Sequence, residues 1–225
     1  MIALIIASME NSVKRLAIIG GGAAGLAAAI AAGDRARELG VPVEVVVYER
    51  DDRVGRSILA TGNGRCNFSN LELEIGEYRN ADFVKRVFES AGDERFVCDF
   101  FDGLGLEWRA EPDGRLYPLA NKASVVVDVL RAAVADLGVC EVCEREVVSI
   151  EPPREDGKPF TMRMKDGSSS ELMLLCLHVV AGWLLQSKLQ ACRLRRCILR
   201  SGRCAYRMKR FRLCVSSTTS ASKAR

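Results

Sequence analysis

The stretch Arg15-Leu16-Ala17-Ile18-Ile19 has no polar position after its first residue, the pattern of a short strand buried on both faces of a parallel sheet. Alanine-rich sequence follows from Ala23 and gathers charge only near its end, at Asp34, Arg35, Arg37 and Glu38. With Gly40 and Pro42 as stop signals, this predicts a helix over 23–39. Val43-Glu44-Val45-Val46-Val47-Tyr48 predicts a second parallel strand. Further on, 82–91 and 94–104 predict two helices, the first with Phe83, Val84, Val87 and Phe88 on one face. Residues 106–109 and 115–117 predict a hairpin around Pro112-Asp113-Gly114, and 124–137 a third helix after Lys122. Residues 139–148 read as the entry to a strand. Segments 146–151, 159–165 and 171–180 predict three strands joined by 152–157 and Asp166-Gly167-Ser168 into a small antiparallel layer. The expected class is α/β: a parallel sheet, an antiparallel crossover β layer, and a helical and hairpin excursion over 71–137.

Charge divides the chain more sharply than its net +4 suggests. Residues 1–171 hold 21 Lys and Arg against all 29 acids, a net of −8, whereas 172–225 hold 12 basic residues and no acid. Periodicity also fails from Gly182 onward, and 216–225 is low-complexity sequence expected to be disordered. Met1–Ala7 is apolar but far short of the roughly 20 residues of a membrane span, and it lacks the basic start of a secretion signal. Met9 is an alternative start. A cytoplasmic protein without a membrane partner is therefore expected. Five of the nine cysteines fall in the basic segment, and the odd total argues against a disulfide framework. Cys140-x-x-Cys143 has metal or redox spacing. However, a strand would point the two thiols to opposite faces and no second pair completes a zinc site, so it is read as structural and no metal is expected.

The glycines between the first strand and helix carry chemistry. Gly20 permits a tight strand-to-helix turn, Gly22 lets a pyrophosphate approach the backbone, and Gly25 lets helix and strand pack closely. Free N–H groups at the helix start would then face a diphosphate. Glu49 ends the next strand where a carboxylate can accept from ribose hydroxyls, and it would repel a 2′-phosphate. These features describe a Rossmann-like nucleotide-binding unit and leave NAD and FAD both open.

The run Tyr48 to Asn70, with Ala60-Thr61-Gly62-Asn63-Gly64-Arg65-Cys66-Asn67 at its centre, closely resembles bacterial FAD-dependent oxidoreductases of the aminoacetone-oxidase-like and bile-acid-reductase-like flavoproteins. Asp113-Gly-Arg-Leu-Tyr-Pro118 and Asn121-Lys-Ala-Ser124 match the same family, and the resemblance runs from about Arg15 to about Gly182. It implies FAD as cofactor, NAD(P)H as a candidate reductant and a small organic substrate. By the same resemblance Gly20, Gly22, Ala24 and Gly25 would hold the diphosphate, Glu49 the adenosine ribose, and Arg50, Gly55 and Arg56 would lie along the dinucleotide. Thr61, Gly62, Asn63, Gly64, Arg65, Cys66 and Asn67 would line the flavin side, and Val147 would offer backbone to adenine. Arg65 has a competing reading, an ion pair with a local acid. Cys66 is read as a buried structural cysteine rather than a redox thiol, Lys122 as a solvated helix-start residue, and His178 is given no role. No acid–base pair stands out, as suits a site where a cofactor carries the redox chemistry.

The family pattern lapses after Gly182. A strand ending Ala-Thr-Gly-Gly and a later Gly-Ser-Asp-Gly are expected there, yet the chain reads Val179-Val-Ala-Gly182 and turns basic. Codons available for Cys192–Leu199 can, one base out of frame, spell Ala-Gly-Ser-Asp-Gly-Ala-Tyr, although Met208-Lys209 would place a stop in that frame. The expectation is thus an incomplete FAD-binding domain over 14–182, truncated or frameshifted, with a basic non-native or disordered tail over 183–225. The substrate domain and the strand that returns to the FAD sheet are expected beyond Gly182. Whether the chain is an enzyme stays open at this point: it reads as an FAD-dependent oxidoreductase by family, or as a non-catalytic FAD-binding fragment of one. A nucleic-acid contact through the basic tail is the less favoured reading, since the tail lacks interleaved aromatics and a binding module.

Overall fold

Strands β1 (Lys14–Ile19) and β2 (Val43–Tyr48) pair in parallel, Leu16 opposite Val45 and Ile18 opposite Val47, because helix α1 (Ala23–Leu39) carries the chain back between them. The computed structural model describes residues 14–91, 95–152, 159–172 and 174–177. The expectations for Met1–Ala7, Met9, His178 and 183–225 lie outside the described residues. Helix α1 ends as predicted: Gly40 adopts left-handed φ (61°), and its N–H donates to the carbonyl of Arg37 (3.1 Å).

After β2 come the short helix α2 (Arg56–Leu59), a 3₁₀ turn at Thr61–Gly64 and the two-residue strand β3 (Ser69–Asn70). A second 3₁₀ turn (Ile75–Glu77) leads to α3 (Ala81–Ala91) and α4 (Phe96–Gly103). Strands β4 (Trp108–Ala110) and β5 (Arg115–Pro118) form the predicted hairpin, and β3 adds to β5 as a third strand. Helix α5 (Ala123–Asp136) follows, with Lys122 exposed at its N-cap.

Two strand expectations need correction. The stretch 139–148 is not one strand entry: it divides into β6 (Cys140–Val142), parallel to β2, and β7 (Val147–Glu151), which starts a separate antiparallel sheet. Between them Glu144 takes left-handed φ (55°), so the chain turns where period two would have continued. The segment 171–180 is likewise not one antiparallel strand. Strands β8 (Phe160–Met164) and β9 (Ser169–Leu172) complete the antiparallel layer β7-β8-β9. Strand β10 (Leu174–Leu177) instead pairs in parallel with β1, Leu16 opposite Leu174. One strand therefore returns to the parallel sheet ahead of Gly182, where the sequence pattern expects it only beyond. The sheet order is β10-β1-β2-β6.

Three layers result, and strand alternation explains both interfaces. Ile18, Val45 and Val47 face the helices and pack with Leu26, Ile30, Val126, Leu130 and Val134. Ala17, Val46 and Tyr48 face the other way and pack with Val147, Met162, Met164 and Leu172. Because both faces are covered, Val45 to Tyr48 are buried without interruption, which is why the sequence shows an unbroken apolar run there. Each such side chain contributes about 1.5–3 kcal/mol by burial.

Helices α1 and α5 meet at Gly33. A Cβ there would lie 3.0 Å from the Cβ of Leu137 and 3.2 Å from its Cδ1. Gly33→Val is expected to cost about 1–3 kcal/mol by overpacking. In urea unfolding, Gly33→Val combined with Leu137→Ala should lose clearly less than the two single losses added together.

Candidate dinucleotide-binding edge

The chain leaves β1 towards β2 on one side and comes back to β1 on the other, at β10. The strand order therefore reverses at β1, and in open parallel sheets ligands bind off the carboxyl ends of the strands at such a point. Gly20 directly follows the carboxyl end of β1.

Gly20 takes φ 98°, a conformation that side chains resist, and its N–H donates to the carbonyl of Tyr48 (2.8 Å). A Cβ on Gly25 would sit 1.9 Å from the Gly20 carbonyl oxygen, so strand and helix touch backbone to backbone. Helix α1 starts at an extended Gly22 with no side-chain cap and no acid in its first turn, and Ala23 and Ala24 are exposed. Its first N–H groups and the positive end of its dipole thus face outward, the arrangement that receives a phosphate.

Beside this turn, Glu49 holds the loop together. Its Oε2 accepts from the Gly21 N–H (2.6 Å) and its Oε1 from the Asp51 N–H (2.9 Å). A carboxylate has about four acceptor sites, so among the described residues two stay open for hydroxyl donors. The Gly55 N–H donates to the Gly21 carbonyl (2.7 Å), which ties the segment after β2 onto the glycine turn. A Cβ on Gly55 (φ 74°) would lie 2.7 Å from Cγ1 of Val127. Arg50 and Arg56 are exposed and near Asp51 and Asp52, with Arg56 3.5 Å from Asp52 and Arg50 4.0 Å from Asp51. Next to them, a polar cleft of about 470 Å³ is lined by Arg50, Asp51, Arg56, Glu144 and Arg145 among others. Val147 is buried at the start of β7 and opposes Met164, two residues beyond Arg145, whose N–H donates to the Glu49 carbonyl (2.8 Å).

The loop 61–67 is folded rather than extended. Thr61 Oγ1 donates to the Ile58 carbonyl (2.6 Å), and the Arg65 and Cys66 N–H groups donate to the carbonyls of Gly62 and Thr61, each at 3.1 Å. Gly62, Asn63 and Gly64 all have left-handed φ, as has Cys66 (61°). Thr61 to Gly64 are exposed, while Cys66 is buried, and burial pushes its thiol up from the ordinary value against a lowering hydrogen bond from Thr61. Arg65 pairs with Glu111 (2.8 Å), an ion pair as in the competing reading of that residue but with an acid 46 positions away rather than a local one. The Asn67 amide, oriented as its neighbours require, donates to the carbonyls of Ser69 (2.7 Å) and Leu116 (3.1 Å).

Residues 14–181 match the family described as the HI0933-like protein Rossmann domain. The chain belongs to that family. It is the FAD-binding Rossmann lineage named by the resemblance of the glycine-rich loop. Among curated relatives, a 3-dehydro-bile acid delta(4,6)-reductase of Clostridium scindens is 39% identical over 119 residues, 52% of this chain and 28% of that protein. A ribosomal RNA dihydrouridine synthase of Escherichia coli is 34% identical over 115 residues, 50% of this chain and 27% of that protein. The chain thus spans under a third of the length of either. Among solved structures, a 3-ketosteroid-delta4-(5alpha)-dehydrogenase of Rhodococcus jostii aligns with a TM-score of 0.45 at 13% identity, over 76% of this chain and 47% of that one.

On this family scaffold the sequence reading misses several residues. Gly21 is one, since a Cβ there would lie 2.5 Å from Val54 Cγ1 and 3.2 Å from Glu49 Oε2. Its place inside the fingerprint was the available signal. Asn121 is another: it has left-handed φ (55°), and its buried Oδ1 has no hydrogen-bond partner among the described residues. It precedes α5, whose first residue, Ala123, shares a buried cluster with Cys66. The four non-glycine residues with left-handed φ among the described residues are Asn63, Cys66, Asn121 and Glu144. Such backbone conformations concentrate at ligand sites. Among the described residues no group of three or more His, Cys, Asp and Glu could hold a metal ion, and no helix is long and apolar enough to cross a membrane.

Two glycines separate steric from conformational demand. Gly25→Ala should cost about 3 kcal/mol or more, because backbone must move, whereas Gly64→Ala (φ 80°, nearest atom the Leu59 carbonyl oxygen at 4.0 Å) should cost only about 1–2 kcal/mol. Urea midpoints of the two variants read the difference. Cys66 should alkylate with iodoacetamide at least about tenfold more slowly than exposed Cys140 at about pH 8. Its raised thiol has a further consequence. As pH climbs past the ordinary thiol range the unfolded chain ionises first, so stability falls, and Cys66→Ala should remove part of that fall.

Proposed function

We propose that this domain binds FAD along the carboxyl edge of its parallel sheet, and that the protein is an FAD-dependent oxidoreductase acting on a small organic substrate with NAD(P)H or O₂ as redox partner. The observation that carries the reading is the uncapped start of α1 behind Gly20 and Gly25, flanked by the half-satisfied carboxylate of Glu49. Gly21 and Gly25 leave no room for a Cβ, and outward N–H groups with no acid in the first helical turn fit a diphosphate.

In this reading the backbone of Gly22 to Gly25 holds the diphosphate, and Glu49 accepts from ribose hydroxyls while keeping Gly21 in place. Arg50, Gly55 and Arg56 border the path of the dinucleotide, and Val147 lies at its adenine end. The loop Thr61 to Asn67 presents backbone donors to the ring system, and Asn121 Oδ1 offers an acceptor that lacks a partner. FAD when bound supplies the hydride chemistry, so the chain's own task is to bind, orient and shield.

The substrate class draws on charge. Residues 1–171 carry a net of −8, which opposes a polyanion such as RNA on this part of the chain, while the +12 of residues 172–225 lies outside the residues that form the dinucleotide-binding edge. The names of the curated relatives include both kinds of substrate, a bile acid and ribosomal RNA. A second reading is a non-catalytic FAD-binding protein: the family match ends at residue 181, and residues 182–225 carry no acid.

Purified protein mixed with FAD should retain one equivalent of flavin through gel filtration, and Glu49→Gln should weaken binding about tenfold, or about 1.4 kcal/mol. No flavin absorbance after reconstitution defeats both readings. Bound FAD that NAD(P)H fails to bleach anaerobically favours the non-catalytic reading.

A further inference from the structure

The Arg65 guanidinium does not project freely from the glycine-rich loop. Its NH1 donates to Glu111 Oε1 at 2.8 Å, and its Cζ stands 4.2 Å from the centroid of the Tyr117 ring. Both partners belong to the β4–β5 hairpin, Glu111 just past β4 and Tyr117 within β5. The Arg65 and Glu111 side chains are 31% and 21% exposed, and Tyr117 is only 1% exposed, so the pair is largely shielded from solvent screening. Glu111 is itself held: its N–H donates to the Arg115 carbonyl (2.8 Å), and its Oε2 lies 3.6 Å from Arg115. Arg115 also stands 5.9 Å from the Tyr117 ring.

Other contacts reach the same hairpin. The Phe68 N–H donates to the Leu116 carbonyl and the Leu71 N–H to the Gly114 carbonyl. A Cβ on Gly62 would lie 3.4 Å from Cε1 of Tyr117. The loop therefore rests on the hairpin at Gly62, Arg65 and Asn67. Between those points it runs through left-handed φ at Asn63, Gly64 and Cys66, conformations that an unsupported loop would not keep.

From this geometry we infer that Glu111 and Tyr117 are positioning residues for the loop 61–67, acting through Arg65 as a latch. Arg65 works on loop shape, and the hairpin decides whether that loop is preformed before any ligand arrives. Its guanidinium is committed to the hairpin rather than to the ring system. The consequence for binding rests on the FAD reading above; the consequence for the loop does not.

Amide hydrogen exchange on FAD-free protein, followed by FAD titration, separates the two. In Glu111→Gln and in Arg65→Lys, the Arg65 and Cys66 amides should exchange about tenfold faster than in wild type, with the β2 and α5 amides unchanged. FAD affinity of both variants should fall about tenfold. Unchanged loop exchange in both variants overturns the latch, as does an equal rise in β2 and α5, which would mark general destabilisation. Faster loop exchange with FAD affinity within about twofold of wild type overturns the positioning role. If wild-type protein binds no FAD, the functional reading falls while the exchange measurement still decides the latch.

Discussion

Helix α1 can approach strand β1 only because Gly25 has no side chain. The Gly20 carbonyl occupies the space a Cβ would need, at 1.9 Å. Much of the edge depends on this contact. It sets the direction in which α1 leaves the sheet, and so where β2 comes to lie and where Glu49 ends. It also turns the Gly21 carbonyl towards Gly55 and the Gly21 N–H towards Glu49, linking three loops through two short hydrogen bonds. A ligand edge built this way needs few side chains, because the backbone groups are already aimed. The same economy explains the exposed alanines at the helix start, where longer side chains would stand between the amides and an anion.

The parts of the fold legible in the sequence are those governed by local pattern. Strand β1, helix α1 and β2 follow from an apolar run, an alanine-rich stretch with Gly40 behind it, and another apolar run. The Pro112-Asp113-Gly114 turn gives the hairpin. What the pattern hides is where a strand changes partner. Between Leu172 and Leu174 the chain passes from the antiparallel layer to the parallel sheet, yet the hydrophobic run continues across the change. Glu171 is the last charged residue before the change, and Leu172 to Leu177 are apolar throughout, so nothing in the composition marks the boundary. At Glu144 the break rests on one residue in left-handed φ, a role for which a glutamate gives no warning.

The site divides in the same way. Gly20, Gly25 and Glu49 are legible because their spacing encodes a turn and a strand tip. Glu111, Tyr117 and Asn121 are distant in sequence and come to the loop only through the hairpin and α5. Arg65 shows the limit most clearly. Its motif points to the flavin side, while its charge is met by an acid that sequence proximity would not select. A motif identifies which segment matters, and tertiary contacts decide what each of its side chains does.

Strand β10 brings a kinetic cost that the finished sheet conceals. The pairing of Leu16 with Leu174 joins nearly the two ends of the described chain. Until β10 arrives, β1 presents an unpaired apolar edge, and contacts of such long sequence separation form slowly. A ribosome delivers β1, α1 and β2 well before their last neighbour, so the nascent domain passes through a stage with an open, sticky sheet edge. Any change that delays or removes Leu174–Leu177 prolongs that stage, and self-association through the edge of β1 becomes the competing fate.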